Sequence, residues 1–330
     1  MKKYNVVSIG GGTGQAIVLK ALKGYSNLKL SAIVTVTDSG RNSGLIRKDL
    51  KIIPPGDIRN CLLALSSSDS ILKTLCQYRF VKGKSLKGLS LGNLILAALA
   101  DLFDGFDNGL KELCRALKVK GEVIPLSLEN INICAELMDG SIVSGEVKVR
   151  ELKKGEIKKV FLDKKKLKPN LKAIQALKKA DFIFLGPGSL YTSVIANLLI
   201  DAIREAIARS KAKKVYIANL LTQPGQTDGF SGRRHMEEMV KYLGKGVLDY
   251  IIINRQKLGK SISQAYLKKG VQELKFNSEE LKKEGIIPIY GSFIEGKNTI
   301  KDYWDKENLL QHDEKKLGSL LYELIKTKGK

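Results

Sequence analysis

Residues 4–25, YNVVSIGGGTGQAIVLKALKGY, decide how the rest of the chain is read. An apolar, β-branched run ends at Ile9. Four glycines then fall within Gly10 to Gly14, and a helix-forming segment, QAIVLKALK, follows at once. Glycine gives up more backbone freedom on folding than any other residue, so such a cluster needs a reason. A strand that feeds a helix through a glycine turn offers two. Backbone N–H groups at a helix start can cradle a phosphate, or the turn is tight for structural reasons alone. The spacing fits neither dinucleotide nor Walker A signatures. GxGxxG would need glycine at 15, where the chain has Gln15, and no GK[ST] follows.

The pattern recurs. ADFIFLG (180–186) runs into PGSLYTSVIANLL, again strand, glycine turn and helix, with Ser189 placed to cap the helix and Thr192 and Ser193 in its first turn. LSAIVTVT (30–37), KVYIANL (214–220) and LDYIIIN (248–254) are further continuous apolar runs separated by helical patterns. Continuously apolar strands with helices between them predict a parallel sheet covered on both faces, a doubly wound α/β fold. Between about 121 and 162 the period changes to alternation. INICAELMDGSIVSGEVKV (131–149) alternates about the turn pair Asp139-Gly140 and predicts a small antiparallel β insert whose second strand continues through Val147 and Val149. A strand-like GIIPIYGSF and a final helix EKKLGSLLYELIK follow. The domain expectation is one α/β unit over 1–310, with a C-terminal helix and basic tail over 311–330.

Composition narrows the chemistry. The 330 residues carry a net charge of +23, but of the 57 basic residues 46 are Lys. Base readout and bidentate phosphate clamps favour Arg, and no nucleic-acid-binding motif is present, so the charge reads as a lysine-rich surface and nucleic acid is not expected as a partner. Cys61, Cys76, Cys114 and Cys134 lack metal-type spacing and read as reduced core thiols. Two histidines, His235 and His312, leave almost no material for a zinc site or a Ser-His-Asp triad. No stretch approaches the roughly 20 apolar residues of a membrane span, and no secretory leader is evident, so the expected compartment is the cytosol.

In doubly wound sheets ligands lie beyond the carboxyl ends of the strands. There the sequence places Gly10, Gly11, Gly12, Thr13 and Gly14; then Gly186, Pro187, Gly188, Ser189, Thr192 and Ser193; and the polar turn TQPGQTDG (222–229) with Gln223, Thr227 and Asp228. Asp38, after LSAIVTVT, stands where a ribose hydroxyl or divalent metal would sit, unless it only forms a turn. In IPPGDIRN (53–60) Asp57 reads as a helix N-cap, whereas Arg59 beside Asn60 suits a phosphate.

Taken together, GGGTGQ, IVTVTDSGRNSG, PPGDIRN, SLGNL, GPGSLYTSV and TQPGQTDG, in this order, resemble the gluconeogenesis factor (YvcK-type) branch of the CofD-like superfamily, whose archaeal branch is 2-phospho-L-lactate transferase. The resemblance implies a Rossmann-like fold and a nucleoside diphosphate ligand, a UDP-sugar such as UDP-N-acetylglucosamine in the gluconeogenesis factor branch. It also implies growth on gluconeogenic carbon, a role in cell shape through a regulated protein partner in cell-wall synthesis, and Mg2+ held by Asp38. Asn93 joins the site residues through SLGNL; whether the chain forms a homo-oligomer stays open. The pattern departs at three positions. Where relatives carry Asp, His and Glu, this chain has Ser39, Leu89 and Gln226. Each change removes a charged or titratable group, which favours a regulatory binding protein over an Mg2+-dependent phosphotransferase, with a redox dinucleotide enzyme third.

Overall fold

A computed structural model of the chain describes residues 2–67, 69–294 and 310–329. β1 (Tyr4–Gly10) is buried at every position except half-buried Asn5, because it is covered from both faces. It pairs in parallel with β2 (Leu28–Val34), from Tyr4 opposite Leu28 to Gly10 opposite Val34. β2 pairs with β3 (Glu122–Pro125). On its other side β1 pairs with β7 (Phe182–Leu185), followed outward by β8 (Lys213–Ile217), β9 (Tyr250–Asn254) and β10 (Ile287–Gly291). All these pairings are parallel, so the sheet order is β10-β9-β8-β7-β1-β2-β3.

That order contains one reversal. The chain steps from β1 outward to β3, then returns to β7 and steps the opposite way. Crossovers therefore diverge between β1 and β7 and leave a crevice at their carboxyl ends. The loops after Gly10 and after Leu185 face each other there.

The antiparallel sheet holds β4 (Ile133–Leu137), β5 (Ile142–Ser144) and β6 (Ile157–Leu162), in the order β5-β4-β6. Its hairpin turns at Asp139-Gly140: Gly140 has φ +83, and Asp139 accepts from the Ser141 N–H at 2.9 Å. Two expectations change here. Glu122–Pro125 belongs to the main sheet, so the antiparallel piece begins at 133 rather than near 121. Nor do Val147 and Val149 extend the second strand, because Gly145 at φ +102 turns the chain into the helix Glu146–Arg150. Alternation over five residues could not distinguish that single turn from a strand.

α1 (Gly12–Leu22) packs against α3 (Gly56–Leu65) and against the C-terminal helix Glu314–Lys328. The latter is no appendage. Leu317, Leu321 and Ile325 are buried in the main core, and Tyr322 stacks on Tyr25 with ring centroids 3.8 Å apart. The four cysteines are free; Cys61, Cys76 and Cys134 are buried, and burial pushes the Cys114 thiol up to about 11. His235 lies in the core, 2.6 Å from the Tyr216 hydroxyl. Among the described residues no helix is long and apolar enough to cross a membrane.

Candidate functional site

The crevice forms a cleft of about 240 Å³. One wall is the start of α1. Gly11 precedes the helix with its backbone extended; a Cβ there would lie 2.6 Å from Thr35 and 2.8 Å from the Asp57 carboxylate. Gly12 takes φ +65, and no described residue stands within 4 Å of where its Cβ would be, so this left-handed position faces the cleft. Gly14 has the opposite reason to be glycine. Its Cβ would fall 2.2 Å from the Pro187 carbonyl oxygen, because the two glycine loops touch there. Gln15, at the place a third motif glycine would take, is fully buried, and its amide donates to the carbonyls of Ser8 and Ile33, tying β1 to β2.

The facing wall is the loop after β7. Pro187, Gly188, Ser189, Thr192 and Ser193 line the cleft. Ser189 occupies the cap position of a π-helical turn, Leu190–Ile195, but makes no capping bond. Gln223 does that work instead. Its Oε1 accepts from the Leu190 N–H at 3.1 Å, and its Nε2 donates to Ser189 Oγ at 3.0 Å. Thr227 is buried and fixes Gln223 by accepting its N–H at 2.8 Å. Asp228 is exposed and closes the turn by accepting from the Gly225 N–H at 2.6 Å. Two buried side-chain oxygens of the lining, Thr192 Oγ1 and Gln226 Oε1, have no hydrogen-bond partner among the described residues. Buried polar atoms in that state are costly unless a ligand or water meets them.

Asp38 lines the cleft and accepts from the Gly40 N–H at 2.7 Å. Asp57 stands beside it on α3. The N-cap of α3 is Pro55, with no side-chain cap, so capping does not explain Asp57 as its sequence context suggested. Asn60 also lines the cleft. Arg59 does not. It is buried behind, donating to Ser90 Oγ and, at 2.9 Å, to Asn60 Oδ1, and burial lowers its guanidinium to about 10. Asn93, likewise buried, is 3.5 Å from Ser43 Oγ. Gly10, Gly186, Thr227 and Asp228 join these two outside the lining and serve the loops from behind or outside.

Sequence reading missed the insert's contribution. Glu146, Arg150 and Glu151 line the cleft, with Arg150 bridging Glu146 and Glu151 at 2.8 Å each. Burial opposes charge on Arg150, but the two carboxylates outweigh it and raise its pKa. The signal was the i,i+4 spacing of Glu146 and Arg150, hidden by the apparent strand alternation. Leu220, Leu221, Tyr266 and Leu310 form an apolar patch of the lining, with His312 nearby. Burial holds His312 at about 4, a neutral imidazole at pH 7.

The profile described as "2-phospho-L-lactate transferase CofD" matches residues 6–294. The chain belongs to the CofD family. It is 40% identical over 325 residues to the gluconeogenesis factor of Halalkalibacterium halodurans, covering 98% of this chain and 97% of that protein. With the Bacillus subtilis gluconeogenesis factor it shares 39% over 325 residues, 98% of this chain and 99% of that one. A crystal structure of a Bacillus halodurans protein superposes with a TM-score of 0.89 at 39% identity, over 97% of this chain and 100% of that one.

In this CofD-family chain the three departures have distinct settings. Ser39 Oγ accepts from the Val147 N–H at 3.1 Å and so fastens the insert helix to the Asp38 loop. Leu89 is buried and does not line the cleft. Gln226 alone lines the cleft. Among the described residues no three His, Cys, Asp or Glu side chains are grouped to hold a metal ion by themselves.

Proposed function

We propose that this protein is a regulatory receptor for a nucleoside diphosphate sugar, a UDP-sugar with UDP-N-acetylglucosamine first, rather than a transferase. The observation that carries the reading is the contact of the two glycine loops at Gly14 and Pro187, at the single reversal of the strand order. The space at Gly12, where no described residue stands within 4 Å of a Cβ, supports a diphosphate approaching backbone N–H groups at the start of α1. The unpartnered oxygens of Thr192 and Gln226 suit the hydroxyl and amide groups of a sugar.

Mg2+ fits this site as a shared ion. Asp38 with Asp57 supplies hard oxygen donors, and phosphate oxygens with water would complete the coordination, the usual manner for this ion. Bound there, the ion would supply charge neutralisation between these carboxylates and the diphosphate. Ser39, Leu89 and Gln226 leave those positions without acid, base or anion, which disfavours phosphoryl or phospholactyl transfer. The biological role that follows is control of a protein partner in cell-wall synthesis during gluconeogenic growth, in the cytoplasm.

Calorimetry should give a micromolar or tighter complex with UDP-N-acetylglucosamine and weaker binding of GDP. Chromatography should find the ligand intact after hours with Mg2+. A transferred or hydrolysed product whose formation requires Asp38 would replace the receptor by the transferase.

A further inference from the structure

Away from the cleft, the segment after α3 exposes apolar side chains among cations. The short helix Ile71–Gln77 turns Ile71 and Leu75 outward, and Tyr78 extends the same i, i+4, i+7 stripe. Ile71 is 74% exposed. The chain then projects as a loop in which every residue from Val81 to Lys87 is exposed, Val81 at 69% and Leu86 at 45%. The loop is a built feature. Gly88 N–H donates to the Phe80 carbonyl at 2.7 Å, the Lys87 N–H to Gly83 at 3.0 Å, and Arg79 donates to the Gly88 carbonyl at 2.6 Å. Its ends are joined by the Arg79–Ser90 bridge.

The charge is one-sided. Residues 69–91 contain Lys73, Arg79, Lys82, Lys84 and Lys87 against the single acid Asp69, which Lys73 engages at 3.1 Å. Lys82, Lys84 and Lys87 make no ion pair among the described residues. The partner must therefore be anionic, and it must also accept aliphatic side chains. Protein interfaces deplete Lys from their apolar centres, because each ammonium would have to be desolvated there. VKGKSLK (81–87) instead sets each apolar side chain within two residues of a lysine. At a lipid headgroup layer that arrangement has no penalty. The apolar groups enter the acyl boundary, the lysine stems follow, and the ammonium groups stay with the phosphates.

We propose that residues 71–88 form a peripheral docking surface for an anionic lipid bilayer. The loop carries Val81 and Leu86 into the interface, Tyr78 sits at headgroup level, and Lys82, Lys84 and Lys87 hold the lipid phosphates. This surface is separate from the nucleotide cleft and does not depend on the ligand assigned there.

The net charge of +23 attracts the whole protein to any anionic surface, so the test must separate a local site from that background. Full-length protein is sedimented with extruded vesicles, either of phosphatidylcholine alone or with added phosphatidylglycerol, in about 0.1 M salt. The expected result is binding to the anionic vesicles only. Val81→Ser with Leu86→Ser, which keeps every charge, should weaken it at least about tenfold. Lys82, Lys84 and Lys87→Gln should weaken it far more than Lys164, Lys165 and Lys166→Gln, which removes the same charge elsewhere on the exposed surface. All these positions are exposed, so circular dichroism should stay native. No vesicle binding, an unchanged Val81→Ser/Leu86→Ser double variant, or equal losses from the two lysine sets would overturn the proposal. The first of these leaves an acidic protein as the occupant; the others leave diffuse attraction alone.

Discussion

Gly14→Ala is the change that most directly tests how the cleft is built. The added methyl carbon would lie 2.2 Å from the Pro187 carbonyl oxygen and 2.8 Å from its carbon, whereas ordinary contact begins near 3.4 Å. Backbone lies on both sides of that contact, so no rotamer relieves it and the loops must separate by about 1 Å. Separation stretches the bond from the Gly186 N–H to the Ile9 carbonyl, now 2.9 Å. Overpacking and a weakened buried hydrogen bond cost about 2–3 kcal/mol together. Gly14 is helical, and alanine is favoured over glycine in a helix by up to about 1 kcal/mol, which opposes part of the loss. The net expectation is about 1–2 kcal/mol of lost stability in urea unfolding. Nucleotide affinity should fall by more than tenfold, about 1.4 kcal/mol, because the two loops proposed to hold the diphosphate no longer keep their spacing. Gly24→Ala provides the control, since no described residue lies within 4 Å of the added Cβ. It should stay within about 0.5 kcal/mol of the parent. A Gly14→Ala protein with the urea midpoint and affinity of Gly24→Ala would show that the loops do not depend on this contact.

Further outcomes follow from the charged groups. Asp38→Asn should abolish the difference in ligand affinity between Mg2+ and EDTA; a variant that loses stability yet keeps that difference would make Asp38 a turn residue only. Arg150→Met leaves the buried Glu146 carboxylate without its guanidinium and should cost about 2–3 kcal/mol in urea unfolding. Adding Glu146→Gln should recover part of that cost, and no recovery would mean that the pair is not coupled. His235 and His312 are held near 3 and 4 by burial, below the ordinary 6.5. The unfolded chain therefore takes up protons first as pH falls, so the contribution of these two groups is fully present above pH 6.5 and is lost between 6.5 and their folded values. Each should remove about 2 kcal/mol between pH 7 and pH 5. His312→Gln should flatten that slope by about half, as read from urea midpoints over the same range.

Much of the fold was legible because strand and helix periods are local properties. The largely apolar, β-branched runs at 4–9, 30–36 and 182–185 are best satisfied by strands buried on both faces, and that requirement already implies a parallel sheet with helices over it. The glycine loops were legible too, as was Asp38 at a strand end. What local pattern could not contain is strand order. Both glycine loops precede helices in the sequence; that they touch at Gly14 and Pro187 follows from β7 pairing with β1, a contact between segments some 170 residues apart. The same long-range step decided which polar residues reach the cleft. Arg59 and Asp57 are neighbours in one motif, yet their positions on α3 turn Asp57 to the cleft and Arg59 back towards Ser90. Glu146 and Arg150 enter from the far side of the chain because Ser39 holds the start of their helix. Sequence determines which segments can bury which faces, since burial depends on side chains a few residues apart. Which faces then meet depends on how the sheet closes, and only the tertiary structure decided that.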